Sequence, residues 1–147
     1  MRTVFNLDDR LDLARRLDGL APGAAPRWGR MDCQRMLAHV TDGVRMALGE
    51  LPVQPKGGPL RLRPIRHALI YWLPFPKGAP TAPELLARRA TDCQEELGQL
   101  KHLLERLAAM EGAQEWPEHP AFGRLTSRDW GALVHKHVDH HLRQFGA

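Results

Sequence analysis

Apolar residues return at steps of three and four along four long stretches of the chain, with polar residues between them. That is helical spacing. In the first stretch Leu7, Leu11, Ala14, Leu17 and Leu20 follow a start signal at Asn6, with Asp9 placed to complete a capping box. Gly19 and then Pro22-Gly23 end it. The second begins near Asp32 and carries Cys33, Met36, Leu37, Val40, Val44, Ala47 and Leu48 on one arc, with Gly49 as the stop. The third is the longest. Thr81 and Glu84 form a capping box around Pro83, and Leu86, Ala90, Cys93, Leu97, Leu100, Leu104 and Leu107 form a seam of alternating fours and threes. The spacing predicts one helix from Pro83 to Met110, roughly 40 Å long at 1.5 Å per residue. The fourth opens on Thr126 and Asp129. Trp130, Leu133, Val134, His137, His141, Gln144 and Phe145 then fall on one side, and Lys136, Asp139, Arg143 and His135 on the other.

Between the second and third helices, residues 49–83 hold eight of the twelve prolines. The segment carries apolar anchors, which predicts an ordered excursion. Pro64 can open a short extra helix with Ile65, Ala68, Leu69 and Trp72 inward, His67 exposed, and Pro74-Phe75-Pro76-Lys77-Gly78 closing it. Residues 111–126 form a loop with Trp116 and Phe122 packed inward and His119 held in a turn between two prolines. The pattern is all-α and, at 147 residues, that of one domain spanning 1–147.

Composition narrows the class. Hydrophobic residues are 43% and charged residues 26%, ordinary for a globular domain. No apolar run approaches the roughly 20 residues of a membrane span. The N-terminus turns charged at Asp8, Asp9 and Arg10, without the apolar core of a signal peptide. Cys33 and Cys93 sit at apolar-periodic positions and give no disulfide framework. A cytoplasmic setting fits. The net charge of +4 is scattered over Arg15-Arg16, Arg61/Arg63/Arg66 and Arg88-Arg89, with no recognition-helix pattern. The expectation is that these arginines coat solvent-facing surfaces and that nucleic acid is not a partner.

The histidines carry the chemistry. Four of eight lie in seven residues, His135, His137, His140 and His141. His137 and His141 are one turn apart on the apolar face and can point at one spot. Buried imidazoles need partners. A shared metal ion supplies them, and so do hydrogen bonds to neighbouring side chains; the pair alone leaves both readings open. His140 lies about 60° round the helix from His137, whereas His141 lies about 40° away on the apolar side, which selects His141. His135 reads as solvent-facing. Gln144 lies beneath the pair, placed to orient a ligand or a bound water. His39 sits at the edge of the second helix's arc beside Gly43, where a missing side chain leaves room. His102 is off the seam.

Met36-Leu37-Ala38-His39-Val40 on the second helix, with His137-x-x-x-His141-x-x-Gln144 on the last, resembles the DinB/YfiT-like superfamily. The stretches Pro74–Gly78, His119-Pro120-Ala121-Phe122-Gly123, Leu125-Thr126, Trp130 and His140–Phe145 resemble an uncharacterised branch of it. The resemblance implies a four-helix bundle with a Pro-rich excursion carrying the short extra helix. It implies a divalent metal (Zn, Ni, Fe, Co or Mn) held by His39, His137 and His141, with Gln144, His119 and His140 around it. It also implies metal-dependent chemistry on a small-molecule substrate. Thiol-dependent transfer with a low-molecular-weight thiol comes first and hydrolysis second, and a homodimer is expected. The alternative is a non-catalytic bundle acting through dimer or partner contacts, with Trp72, Phe75 and Trp116 as an apolar surface.

Overall fold

A computed structural model describes residues 1–21 and 23–147. Among them the chain is all-helical, with no strand. The helices are α1 (Leu7–Asp18), α2 (Cys33–Ala47), α3 (Arg63–Tyr71), α4 (Cys93–Ala108) and α5 (Ser127–Gln144), and 3-10 turns occupy Pro59–Arg61 and Pro83–Leu86. No helix among the described residues is long and apolar enough to cross a membrane.

Local chemistry sets the helix starts. Asn6 accepts from the Asp9 N–H, Asp32 from the Arg35 N–H, and Asp92 from the N–H groups of Gln94 and Glu95. Thr126 and Asp129 form a full reciprocal box at α5. Each such cap contributes about 1 kcal/mol. Pro64 lies in the first turn of α3 as expected. The expected stop of α1 rests partly on Pro22, which lies outside the described residues; Gly19 is the cap that is seen.

Side-chain ties give the helix directions. Gln34 reaches the Thr91 carbonyl, Arg45 bonds Gln99 at 3.0 Å, and Arg106 pairs with Glu50, so α2 and α4 run parallel. The Val4 N–H donates to the Gly131 carbonyl, and Arg16 pairs with Asp139, so α1 and α5 run parallel to each other. Arg10–Glu105 and Lys101–Asp18 make α1 antiparallel to α4. Nearly all of α2 is buried, and it is the middle of the molecule.

The longest expected helix is broken. Residues between Leu86 and Cys93 leave helical geometry, and α4 begins only at its Asp92 cap. Glu84 does not close a box with Thr81; its carboxylate accepts from the Gln54 N–H instead. The break turns Arg88 inward, where its guanidinium meets Glu96 at 2.5 and 2.9 Å and Asp42 at 3.0 Å. Both carboxylates are buried. Leu86, expected on the seam, is exposed and Leu85 is buried in its place.

Rotations of other helices also differ from the expected faces. Leu7 and Leu11 are exposed, while Leu13 and Leu17 enter the core. The orientation of α1 is fixed by Arg10, which donates to the carbonyls of Val4 and Phe5, and by Arg16 on Asp139. In α3, Ile65 and Trp72 face out and Ile70 is the buried residue. Lys136 donates to the carbonyls of Leu69 and Leu73 and Tyr71 to Asp129, which turns that helix on α5. Not all arginines coat the surface, since Arg88, Arg10 and Arg16 are drawn into these polar ties.

Trp116 stacks on Trp130 and meets Phe5 edge-on, and Phe122 is buried, so the 111–126 loop packs as expected. Trp116 and Phe75 are both half-buried against their own chain, which leaves Trp72, 75% exposed, as the free aromatic of the apolar surface expected for a partner. Cys33 and Cys93 are both free thiols.

Candidate metal centre

The structure brings together His39 from α2 with His137 and His141 from α5. One ring nitrogen of each lies within 4.8 Å of those of the other two. All three ring pairs meet near edge-on, with centroids 4.9 Å apart. His39, read from sequence as an edge residue, is buried, and so is His141; His137 is half-buried.

Gly43 explains how α5 comes so close. A Cβ at that position would lie 3.1 Å from Cε1 and 3.2 Å from Nδ1 of His137. The room beside His39 is therefore taken by the His137 ring. Gly43→Ala is expected to push that ring a few tenths of an ångström. Metal affinity should fall roughly tenfold, while the melting temperature holds or rises, because alanine favours a helix interior over glycine by about 1 kcal/mol. Chelator-competition titration and a thermal melt on the same variant check both halves. An unchanged affinity would mean the ring has slack.

Tautomers follow from the hydrogen bonds. His39 Nδ1 lies 3.3 Å from the Leu85 carbonyl, and His141 Nδ1 lies 2.8 Å from Gln144 Oε1. Carbonyl oxygens only accept, so both Nδ1 atoms carry the proton and both Nε2 atoms present lone pairs. Gln144 is fixed in turn, since its Nε2 donates to the Trp28 carbonyl at 2.7 Å. Gln144 thereby ties the His141 ring to the Trp28 carbonyl. His39 Nε2 lies 3.0 Å from His137 Nε2, a contact that requires a proton or a cation between the two nitrogens. Donors about 2.1 Å from one ion lie some 3–3.5 Å apart. The donor set fits a divalent metal of the borderline kind, with neutral imidazoles and no carboxylate.

Burial holds these rings neutral. It lowers His39, against the opposing pull of the Leu85 bond and Asp42. It drives His137 well below its ordinary value, helped by His141 and His39 alongside. It takes His141 to about 3, against the Gln144 bond. The metal-free protein should therefore destabilise in acid. All three folded-state values lie below the ordinary 6.5, so the unfolded chain takes up protons first. Stability is full above about 6.5 and is lost as pH falls toward about 3. Thermal melts of chelator-treated protein across this range check it; a melting temperature flat down to about pH 4 would contradict it.

The other sequence candidates lie outside the cluster. His140 is half-buried, edge-on to Trp28 at 5.6 Å and to Phe75 at 5.9 Å. Phe75 also stands 6.3 Å from His137, so the Pro-rich excursion does reach this end of the site. His119 is a turn residue: its Nδ1 accepts from the N–H groups of Ala121 and Phe122, its ring packs on Trp130, and burial lowers its pKa to about 4. His135, expected in solvent, is buried under α1, and its Nε2 has no hydrogen-bond partner among the described residues. The Leu85 and Trp28 carbonyls are invisible in the sequence, because backbone acceptors leave no residue signature. So is the placement of Lys77 over the Trp28 ring at 4.5 Å.

Residues 67–147, which carry α5 and two of the three clustered histidines, match a family of proteins of unknown function, DUF1569. The chain belongs to that family. No curated protein matches it, and no solved structure does. In this DUF1569 protein His39 lies before the matched region, so the cluster joins the family segment to the N-terminal half of the chain.

Proposed function

We propose that this DUF1569 protein is a metal-dependent enzyme whose centre is His39, His137 and His141, and that its chemistry is transfer to or from a small thiol, with hydrolysis as the second choice. The carrying observation is the pair of pinned imidazoles. His39 and His141 each have Nδ1–H held by a carbonyl oxygen, so their Nε2 lone pairs converge with the His137 ring. A divalent metal bound there would supply Lewis acidity, lowering the pKa of a coordinated thiol or water. The chain's own residues do the rest. Gln144 and Leu85 hold two rings in the ligating tautomer, Gly43 admits the third, and Phe75 gives an apolar wall beside His137 and His140.

In the same reading α1, α2, α4 and α5 are the four helices of a DinB/YfiT-like bundle, and α3 is the extra helix of the excursion. The up-down-down-up directions and the histidines on its second and fourth long helices support this. A small-molecule substrate and a homodimer belong to the proposal too, the latter using the exposed Trp72 and Leu73.

Cobalt substitution tests the thiol reading. Protein loaded with Co(II) and titrated with a low-molecular-weight thiol should develop a thiolate-to-cobalt charge-transfer band in the near ultraviolet. The same metal-loaded protein should conjugate the thiol to an activated electrophile, and His137→Ala should abolish both signals. A cobalt spectrum unmoved by thiol, with metal-dependent ester hydrolysis, would shift the reading to a hydrolase. No metal-dependent turnover of either kind would leave a bundle without catalysis.

A further inference from the structure

Outside the histidine cluster lies an open cavity of about 570 Å³ between the start of α3, the 124–126 segment and the start of α5. That is a small-ligand volume. Arg63, Arg66, Arg124 and Arg128 all line it. The chain's whole net charge is only +4, so four guanidinium groups in one groove are a concentration of charge.

The groove's own carboxylate does not balance them. Asp129 is engaged by the Thr126 N–H and hydroxyl at 3.0 and 2.8 Å and by the Tyr71 hydroxyl at 2.5 Å. Arg66 is braced by the carbonyls of Phe122 and Arg124 at 3.2 and 2.9 Å, which fixes its guanidinium at the wall. Arg124 reaches Glu118 at 3.4 Å from a side chain 92% exposed. The side chains of Arg63 and Arg128 make no hydrogen bond or ion pair among the described residues; Arg128 only lies over the Tyr71 ring at 5.7 Å. Asp129 in the groove and Glu118 on Arg124 leave a positive excess over four guanidinium groups, and a multiply charged oxyanion relieves their repulsion while using their forked donors.

We infer that this groove is a binding site for a small polyanion bearing a phosphate or diphosphate group. Arg66 is the fixed donor, and Arg63 and Arg128 close on the ligand from either side. The site is separate from the histidine cluster: His137 lies eight positions beyond Asp129 on α5, about 12 Å along the helix. The inference does not depend on a metal being bound.

Calorimetric titration with inorganic pyrophosphate at about 0.1 M salt tests it. One site per chain is expected, with a Kd below about 1 mM. Arg63→Ala/Arg128→Ala should weaken binding by roughly tenfold or more. Arg30→Ala/Arg89→Ala removes the same charge from exposed positions elsewhere and should change it less than about twofold. Both double variants should melt with the parent, because none of the four side chains makes a hydrogen bond or ion pair among the described residues. His137→Ala should leave binding unchanged. Failure to saturate, equal losses in the two double variants, loss in His137→Ala, or binding to anionic vesicles but not to free pyrophosphate would each overturn the assignment.

Discussion

Arg88→Met is expected to cost the fold about 3–5 kcal/mol, lowering the melting temperature by roughly 10–15 °C. The reason is what the variant leaves behind. Glu96 is fully buried and Asp42 nearly so; Arg88 supplies two bonds to Glu96 and two to Asp42, and Arg45 adds one to Asp42 at 3.1 Å, so Glu96 is the carboxylate left without a cation. Thr91 adds its N–H and hydroxyl to Glu96 at 3.0 Å each, but these are neutral donors. Burial pushes the Glu96 carboxyl up, and the Arg88 and Thr91 bonds outweigh it, taking the group down to about 2. A carboxyl lowered in the folded state stabilises above its ordinary 4.5, and the contribution is lost as pH falls toward about 2. In Arg88→Met burial acts with far less opposition, so the dependence should reverse, and the variant should recover stability as acid protonates Glu96. Denaturant melts at neutral and mildly acid pH check both statements. A loss below about 1 kcal/mol would mean that water reaches these carboxylates. Adding Asp42→Asn and Glu96→Gln should return a large part of the loss, since it removes the uncompensated buried charge that makes a broken pair costly.

The second large effect is expected at His137. Apparent binding of about 10–16 kcal/mol for a full structural zinc set assigns some 3–4 kcal/mol to each ligand, so His137→Ala should weaken metal binding about 100- to 1,000-fold. The fold should change little, because the variant removes a desolvated imidazole crowded by two others. His39→Ala and His141→Ala should behave alike. His140→Ala should stay within about threefold, because its ring lies against Trp28 and Phe75 beyond the cluster. Competition against a chromophoric chelator measures all four on one scale. Comparable losses at His140 and His141 would mean the ligand set is drawn wrongly on α5.

Much of this was legible in the amino-acid sequence. Caps name themselves: Asn6, Asp32 and the Thr126/Asp129 box open helices where short-range chemistry says they should. The i, i+4 spacing of His137 and His141 needs only the helical repeat, and Gly43 marked the close approach on α2. Illegible features depend on contacts distant in sequence. Nothing near Arg88 reveals that Asp42, 46 residues earlier, will be buried beside it, yet that node interrupts the expected long helix. His135 was placed in solvent because a helical wheel allows one buried face. The helix α5 is covered on more than one side, by α1 as well as by α2 and α3, so two faces are buried. The same limit applies to Leu7 and Leu11, apolar residues whose helix is turned outward by arginine ties. Arg63 and Arg66 read as surface charge until the fold gathers them with Arg124 and Arg128.

The most direct measurement of the metal assignment is elemental analysis with X-ray absorption on untagged protein purified without chelator. About one divalent ion per chain is expected, with three imidazole nitrogens at about 2.0–2.1 Å in its first shell. The ion should be absent from His137→Ala and His141→Ala. A protein that neither retains nor takes up a divalent metal, or one whose stoichiometric metal survives both substitutions, would contradict it.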